Sequence, residues 1–585
     1  MAVAQRSHYA IVPRLTTTSG AAVGQVPSGG AALTWEVTDL GAERLWPARM
    51  TRRVLPLAGL LVLCACNSGD GGGALVGNSG KGGNGGGGSG DGWTAGVFQS
   101  SSKYEALCAS PRSGTDPYTK QAYPDQPGST LDENNWLRSW THELYLWYDE
   151  VQDVDPGLYT TPNYFQLMKT TETTSSGAPK DRFHFTYPTS VWEQLSQAGV
   201  EVGYGVQWEI VNSTNASTVT IAYLQPAASL PAATVAANLV RGDAVLAVDG
   251  VYLSSASSQS DINTINAGLS PATAGEQHSF VVQDPGSSGT RTVQLQSANV
   301  TSTPVLLETT VTGDDGSTVG YILYNDQVAT AESELIAAIN DLKSKKVTDL
   351  VLDLRYDGGG LLDLASELGY MVGGSQTAGQ TFEVEQFNNQ YTTTNPVTGQ
   401  PITPTPFYTT TQGFSTTAGQ PLPTLNLARV AVITGQDTCS ASEAIINALQ
   451  GVGVTVYEIG ATTCGKPYGF YPQDNCGTTY FSIEFQGVNA KGVGGYGDGF
   501  SPANTTPAVG VAVPGCSVAD DFGHALGDPT ETRLATALAY LANPQAATCP
   551  SPPTGNAAPR TLTQRQLLDR IFVRSPLRQM RILRR

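Results

Sequence analysis

Three apolar runs constrain the fold of this chain more than anything else in it: "VGYILYND" at 319–326, "VTDLVLDLRYDGGG" at 347–360 and "ARVAVITG" at 428–435. Each is rich in Val, Leu and Ile without polar alternation, the pattern of a strand covered on both faces in an α/β sheet. "ESELIAAINDLKSKK" reads as a helix between the first two. Residues 441–450 form a helix after the third, "VTVYEIG" is a further strand leading into "ATTCGKPYGF", and "ETRLATALAYL" closes as a helix. Residues 301–549 are therefore expected to be an α/β core. Within them 375–425, Gly/Thr-rich with Asn388, Asn389 and several prolines, reads as a long insertion.

At 585 residues the chain exceeds one ordinary core, so several domains are expected. In "LDENNWLRSWTHELYLWYDEV", residues 131–151, Trp136, Leu137, Trp140, Leu144, Trp147, Tyr148 and Val151 share one stripe of a 3.6-residue period, which predicts an amphipathic helix and a small helical domain over 104–200. His142 and His184 lack metal-ligand spacing and read as packing or surface residues. From 201 to 300 the chain changes to short strands, "GYGVQWEI", "STVTIAYL", "DAVLAVDGVYL", "HSFVVQD" and "RTVQLQS", interrupted by the Pro/Ala-rich "PAASLPAATVAANLVRGD". This order resembles a PDZ domain. The resemblance implies that backbone amides of Gly203, Tyr204, Gly205 and Val206 hold a peptide's terminal carboxylate while the peptide adds as a strand to the sheet edge.

The N-terminal region carries a different signal. "MTRRVLPLAGLLVLCAC", residues 50–66, has two arginines, an apolar stretch too short to span a bilayer, and small residues ending at Cys66. It resembles a lipoprotein signal peptide whose last cysteine is acylated, with 1–49 then a mis-called extension. Residues 67–103 begin as a Gly/Ser-rich tether, with a span of about 30 Å for roughly 30 residues. Asn67 after Cys66 favours the outer membrane, so the expected location is the bacterial cell envelope, lipid-anchored. The tail 550–585 ends in "RTLTQRQLLDRIFVRSPLRQMRILRR", eight arginines against one acid, and reads either as a membrane-facing basic segment or as an extension outside the fold. The whole chain is acidic, 50 Asp and Glu against 32 Lys and Arg, which argues against nucleic acid as a partner.

The chemistry centres on "DTCSASEAIINAL" at 437–449. Ser440 with Glu443 three residues on is a capping-box pattern, and a serine at a strand-to-helix turn is also where open α/β sheets place nucleophiles. "DLRYDGGG" (353–360), "TCSASEAIINAL" (438–449) and "TTCGKPYG" (462–469), preceded by the PDZ-like segment, resemble the C-terminal processing (tail-specific) serine proteases, relatives of the tricorn core. The resemblance implies a Ser440 nucleophile and a Lys466 general base. A lysine serves as base near neutral pH only if burial lowers its pKa, and no carboxylate lies within seven residues of Lys466. Oxyanion donors are expected from Ala441 and from Gly358 or Gly359. Glu443 caps the helix or orients the site. Two positions depart from the family pattern: Asp357 stands where Asn is usual, and Phe470 where some members place a lysine-orienting Gln. Ser442, Thr463 and Tyr468 are candidates for a third member.

Cys108, Cys439, Cys464, Cys476, Cys516 and Cys549 remain once Cys66 is lipidated, an even set that suggests disulfides. Bridges at Cys439 and Cys464 would flank both catalytic candidates; a Cys439 nucleophile is the alternative chemistry. Neither metal nor cofactor is expected. The sequence thus points to an exported serine endopeptidase acting on protein or peptide substrates, possible selection falling to the PDZ-like groove. Its rival is a catalytically silent peptide-binding lipoprotein.

Overall fold

The computed structural model describes residues 93–212 and 217–551, and the backbone of Arg581–Ile582. The signal peptide at 50–66, acylated Cys66, the extension 1–49, most of the 67–103 tether and most of the 550–585 tail lie outside the described residues. No described helix is long and apolar enough to cross a membrane.

The three apolar runs lie side by side. A six-stranded sheet has the order Val305–Thr312, Thr318–Tyr324, Asp349–Asp353, Arg429–Thr434, Thr455–Gly460 and Gly515–Ser517; the first pair is antiparallel and every later pair parallel. Alternate side chains of each strand enter opposite layers. Ile322, Leu350, Leu352, Val430 and Val432 pack under the helices Ala331–Ser344, Leu362–Gly373 and Ala441–Gly451. Tyr321, Leu323, Val351, Ala431 and Ile433 face Leu534, Ala537, Leu538 and Leu541 of the helix Thr532–Ala542. Burying both faces is why the runs lack polar alternation, each fully buried aliphatic side chain contributing about 1.5–3 kcal/mol.

The 375–425 segment is built into this core. Thr381–Phe387 pairs antiparallel with Phe485–Val488, Phe382 and Phe407 are buried edge to face, and the Glu332 carboxylate accepts the N–H groups of Gln412, Gly413, Ser415 and Thr416.

The N-terminal segment departs from the sequence reading in two ways. Its helix is Thr130–Leu144, shorter than 131–151, because Tyr145 turns to an extended conformation and its hydroxyl donates to Asp181 at 2.7 Å. It also has no separate core. Trp136, Trp140, Tyr164 and Phe165 pack on Tyr480, strand Phe185–Pro188 pairs with Thr478–Phe481, and Cys108 is bonded to Cys476. His142 and His184 are packing residues, stacked on Phe98 and Phe165.

Within 201–300 the strands Val206–Asn212, Ser217–Leu224, Ala244–Val248, Gln277–Gln283 and Arg291–Gln296 form an antiparallel sheet with its own core around Trp208, Ile221, Val245 and Phe280. Val206–Asn212 is the edge strand, and Trp208 Nε1 and the Tyr204 hydroxyl donate to carbonyls of Leu269 and Gly268 at the end of the helix Gln259–Leu269. The sheet is entered and left by one ribbon, Val200–Gly203 against Ala298–Thr301.

Candidate active site

Strand Arg429–Thr434 ends in a turn held by Thr438, whose Oγ1 donates to Leu354 O at 2.7 Å and accepts Gly435 N–H at 2.9 Å. The turn delivers Ser440 to the start of helix Ala441–Gly451 with φ +61°, a left-handed conformation uncommon for serine. Ser440 is fully buried and its Oγ has no hydrogen-bond partner among the described residues. A capping serine would bond a backbone N–H of the first turn. Here the capping half that is made runs the other way: the Ser440 N–H donates to Glu443 Oε2 at 2.9 Å.

Glu443 reaches further than a cap. Its Oε2 also accepts the Lys466 N–H at 2.8 Å, and its Oε1 accepts the Gly465 N–H at 2.8 Å and the Thr463 hydroxyl at 2.5 Å. One buried carboxylate thus joins the backbones of both catalytic candidates. The Cys439–Cys464 disulfide links the same two segments covalently, with Cα atoms 5.1 Å apart. Burial raises the Glu443 pKa, opposed by these four donors.

Lys466 is completely buried, its Nζ 4.3 Å from the Phe470 ring centroid and 4.9 Å from that of Phe183. Burial lowers its pKa to about 7, with Asp181 and Glu443 opposing. Phe470, where a glutamine was wanting, is therefore part of the apolar wall that buries the amine, and its ring offers it no hydrogen-bond acceptor.

The glycine loop is fixed from outside the motif. Gln327 Nε2 donates to Asp357 Oδ2 at 2.9 Å and to Ser442 Oγ at 3.2 Å; its backbone N–H donates to Gly359 O and its carbonyl accepts from Leu361. At Gly360 (φ +144°) an added Cβ would overlap the Gln327 carbonyl, so glycine is required there. Asp357 Oδ1 accepts the Gly359 N–H at 2.9 Å, and burial raises its pKa to about 7. Gly359 is thereby committed inside its own loop. Gly358 makes no such bond among the described residues, and Ala441 N–H lies in the first helical turn, where no intrahelical acceptor exists. Of the two glycines, Gly358 is the one free to act as a donor with Ala441.

The remaining candidates are distributed as follows. Ser442 Oγ donates to Asp357 O at 3.1 Å and supports the loop, and Thr463 supports Glu443 and accepts Phe500 N–H at 2.7 Å. Tyr468 packs edge-on against Trp147. Cys439 is bonded to Cys464, which removes it as a nucleophile in this state. In the 203–206 loop the Tyr204 ring lies in the core, its carbonyl accepts the Thr234 hydroxyl at 2.8 Å, the Gly205 carbonyl accepts the Gln225 N–H at 2.8 Å, and Gly203 and Val206 are paired with Ala298 and Leu224. Gln327 and Asp181 were not singled out from sequence; both lie outside the three motifs, and no spacing marks them. Arg581–Ile582 pairs in parallel with Gly360–Leu361 beside this loop.

Residues 318–469, which include Ser440 and Lys466, match the sequence model of peptidase family S41. This segment is an S41 peptidase domain, and the resemblance to C-terminal processing proteases holds. A carboxyl-terminal-processing protease of Picosynechococcus sp. is 28% identical over 279 residues, covering 47% of this chain and 56% of that protein, so the match spans little over half of the relative. The crystal structure of a candidate S41 protease from Bacteroides fragilis, 20% identical, superposes with a TM-score of 0.50 over 72% of this chain and 97% of that one, and shares its α/β fold.

Proposed function

We propose that the protein is an endopeptidase in which Ser440 is the nucleophile and Lys466 the general base. The observation that supports this reading is a buried Ser440 Oγ without a hydrogen-bond partner among the described residues, on a strained helix entry, tied through the Glu443 carboxylate to the backbone of a buried lysine whose pKa burial lowers to about 7. The neutral amine takes the hydroxyl proton as Oγ attacks a peptide carbonyl. Ala441 and Gly358 N–H groups stabilise the tetrahedral oxyanion. The lysine ammonium returns the proton to the leaving amine, and water hydrolyses the acyl-enzyme by the same exchange.

Residues 201–300 are proposed to select substrates as a PDZ-type module, a peptide adding to the edge strand Val206–Asn212 with its carboxylate at the Gly203–Val206 backbone. Cys66 is proposed to be acylated and to hold the enzyme in the bacterial envelope. The test is fragment analysis by mass spectrometry of an unfolded protein incubated with the wild type, Ser440→Ala and Lys466→Ala. Each variant should lose about 10^4-fold or more, and the double variant little beyond that, because the two residues act as a unit. Cleavage absent from the wild type, with peptide binding retained, would favour the silent peptide-binding protein. Near-normal turnover by Lys466→Ala would remove the dyad.

A further inference from the structure

Cys439 and Cys464 flank the dyad from the inside. Cys439 immediately precedes Ser440 and is buried, whereas Cys464 lies two residues before Lys466 and is half-buried, so the bridge is reachable from that side. Glu443 Oε2 lies 3.5 Å from Cys464 Sγ, and one donor atom from each of the three residues falls within 4.8 Å of the others. A dication that sits about 2.0–2.3 Å from each of two thiolates and one carboxylate needs those donors roughly 3.5 Å apart, which the opened pair of sulfurs and the carboxylate can supply. The disulfide keeps both sulfurs from ligating.

We propose that the reduced chain carries a site here for one thiophilic dication, zinc or cadmium, and that filling it silences the peptidase. A dithiol reductant opens the bridge, giving two cysteine thiols and the oxidised, cyclic reductant. The metal then binds as two thiolates form, releasing two protons. The third ligand is Glu443 Oε2, the oxygen that otherwise accepts the N–H groups of Ser440 and Lys466. Metal binding competes with both bonds and loosens the two segments that the carboxylate joins. Oxidation removes the sulfur ligands and restores the clasp, so one bond sets both the geometry of the site and its immunity to metal.

The test uses the full chain, reduced with dithiothreitol, desalted under argon and titrated with cadmium. The thiolate-to-cadmium absorption band reports binding without reference to peptide cleavage. Reduced wild type should take up one equivalent more than reduced Cys439→Ser/Cys464→Ser, and Glu443→Gln should weaken that site by roughly 10-fold or more. Cadmium should also protect Cys439 and Cys464 from alkylation in the wild type, a reading that needs no variant. Where the oxidised enzyme cleaves peptides, that equivalent should cut the reduced enzyme's rate at least about 10-fold, with recovery on chelation and reoxidation. Equal stoichiometry in the two proteins, or alkylation of both cysteines at the same rate with and without metal, would overturn the site. Binding without loss of cleavage would overturn the silencing.

Discussion

The Glu443 carboxylate receives the backbone N–H of Lys466 at 2.8 Å across twenty-three residues of chain. The same oxygen receives the N–H of Ser440, so a residue that looks like a local helix cap sets the relative position of nucleophile and base. Glu443→Gln sets an NH2 donor against one of the two pairs of donors that the carboxylate now accepts from. The expected result is a loss of about 2–4 kcal/mol in denaturant unfolding and at least a 10^2-fold fall in kcat. A variant with unchanged kcat would reduce Glu443 to a cap.

Lys466 makes stability depend on pH in a definite direction. Its folded pKa of about 7 lies below the ordinary lysine value of 10.5, so between these the unfolded chain binds more protons and stability rises with pH. Lys466→Met should therefore be more stable than the wild type by about 2 kcal/mol at pH 6, the gain shrinking toward pH 10. Wild-type cleavage should rise with pH through about 7 as the amine deprotonates, and a rate flat well below that would indicate another base.

Asp357 acts with the opposite sign. Its folded pKa of about 7 exceeds the ordinary 3.8, so stability falls as pH rises between those values. Asp357→Asn removes the titration. Gln327 can then turn its amide, since its Oε1 has no partner among the described residues, and bond the new NH2 group. The variant should keep activity within about 3-fold at pH 8 and show a flatter stability profile between pH 4 and 7, read by thermal unfolding. A collapse of activity at pH 8 would mean that the carboxylate charge itself is required.

The strand Arg581–Ile582 occupies the backbone edge of Gly360–Leu361, next to the glycine loop. A peptide docking by strand addition would compete for those groups. Removing residues 560–585 should lower KM by about 2–10-fold with kcat held, measured on an unstructured peptide. An unchanged KM would mean that substrate uses another edge.

What the sequence revealed and what it hid follow one physical division. The parallel strands were legible because burial on two faces leaves an unbroken apolar run, and the helix after Ser440 because its apolar period and capping pattern are local. Gln327 was hidden, since its bonds to Asp357 and Ser442 span 30 and 115 residues and no period records them. Phe470 read as a missing glutamine, but its meaning required seeing its ring against the Lys466 amine. The helix of 130–144 was plain, yet its dependence on Tyr480 was not, because a stripe shows that a face is buried without showing against what.

The bond between Cys108 and Cys476 closes a loop of 368 residues around most of the folded chain. A single cut by any protease between those cysteines, in the 201–300 module or in the 375–425 segment, opens the loop without releasing either piece. An enzyme nicked there would run on a non-reducing gel without losing a fragment, and would separate into two bands only after reduction. For a chain exposed to any protease, that topology is tolerance of injury.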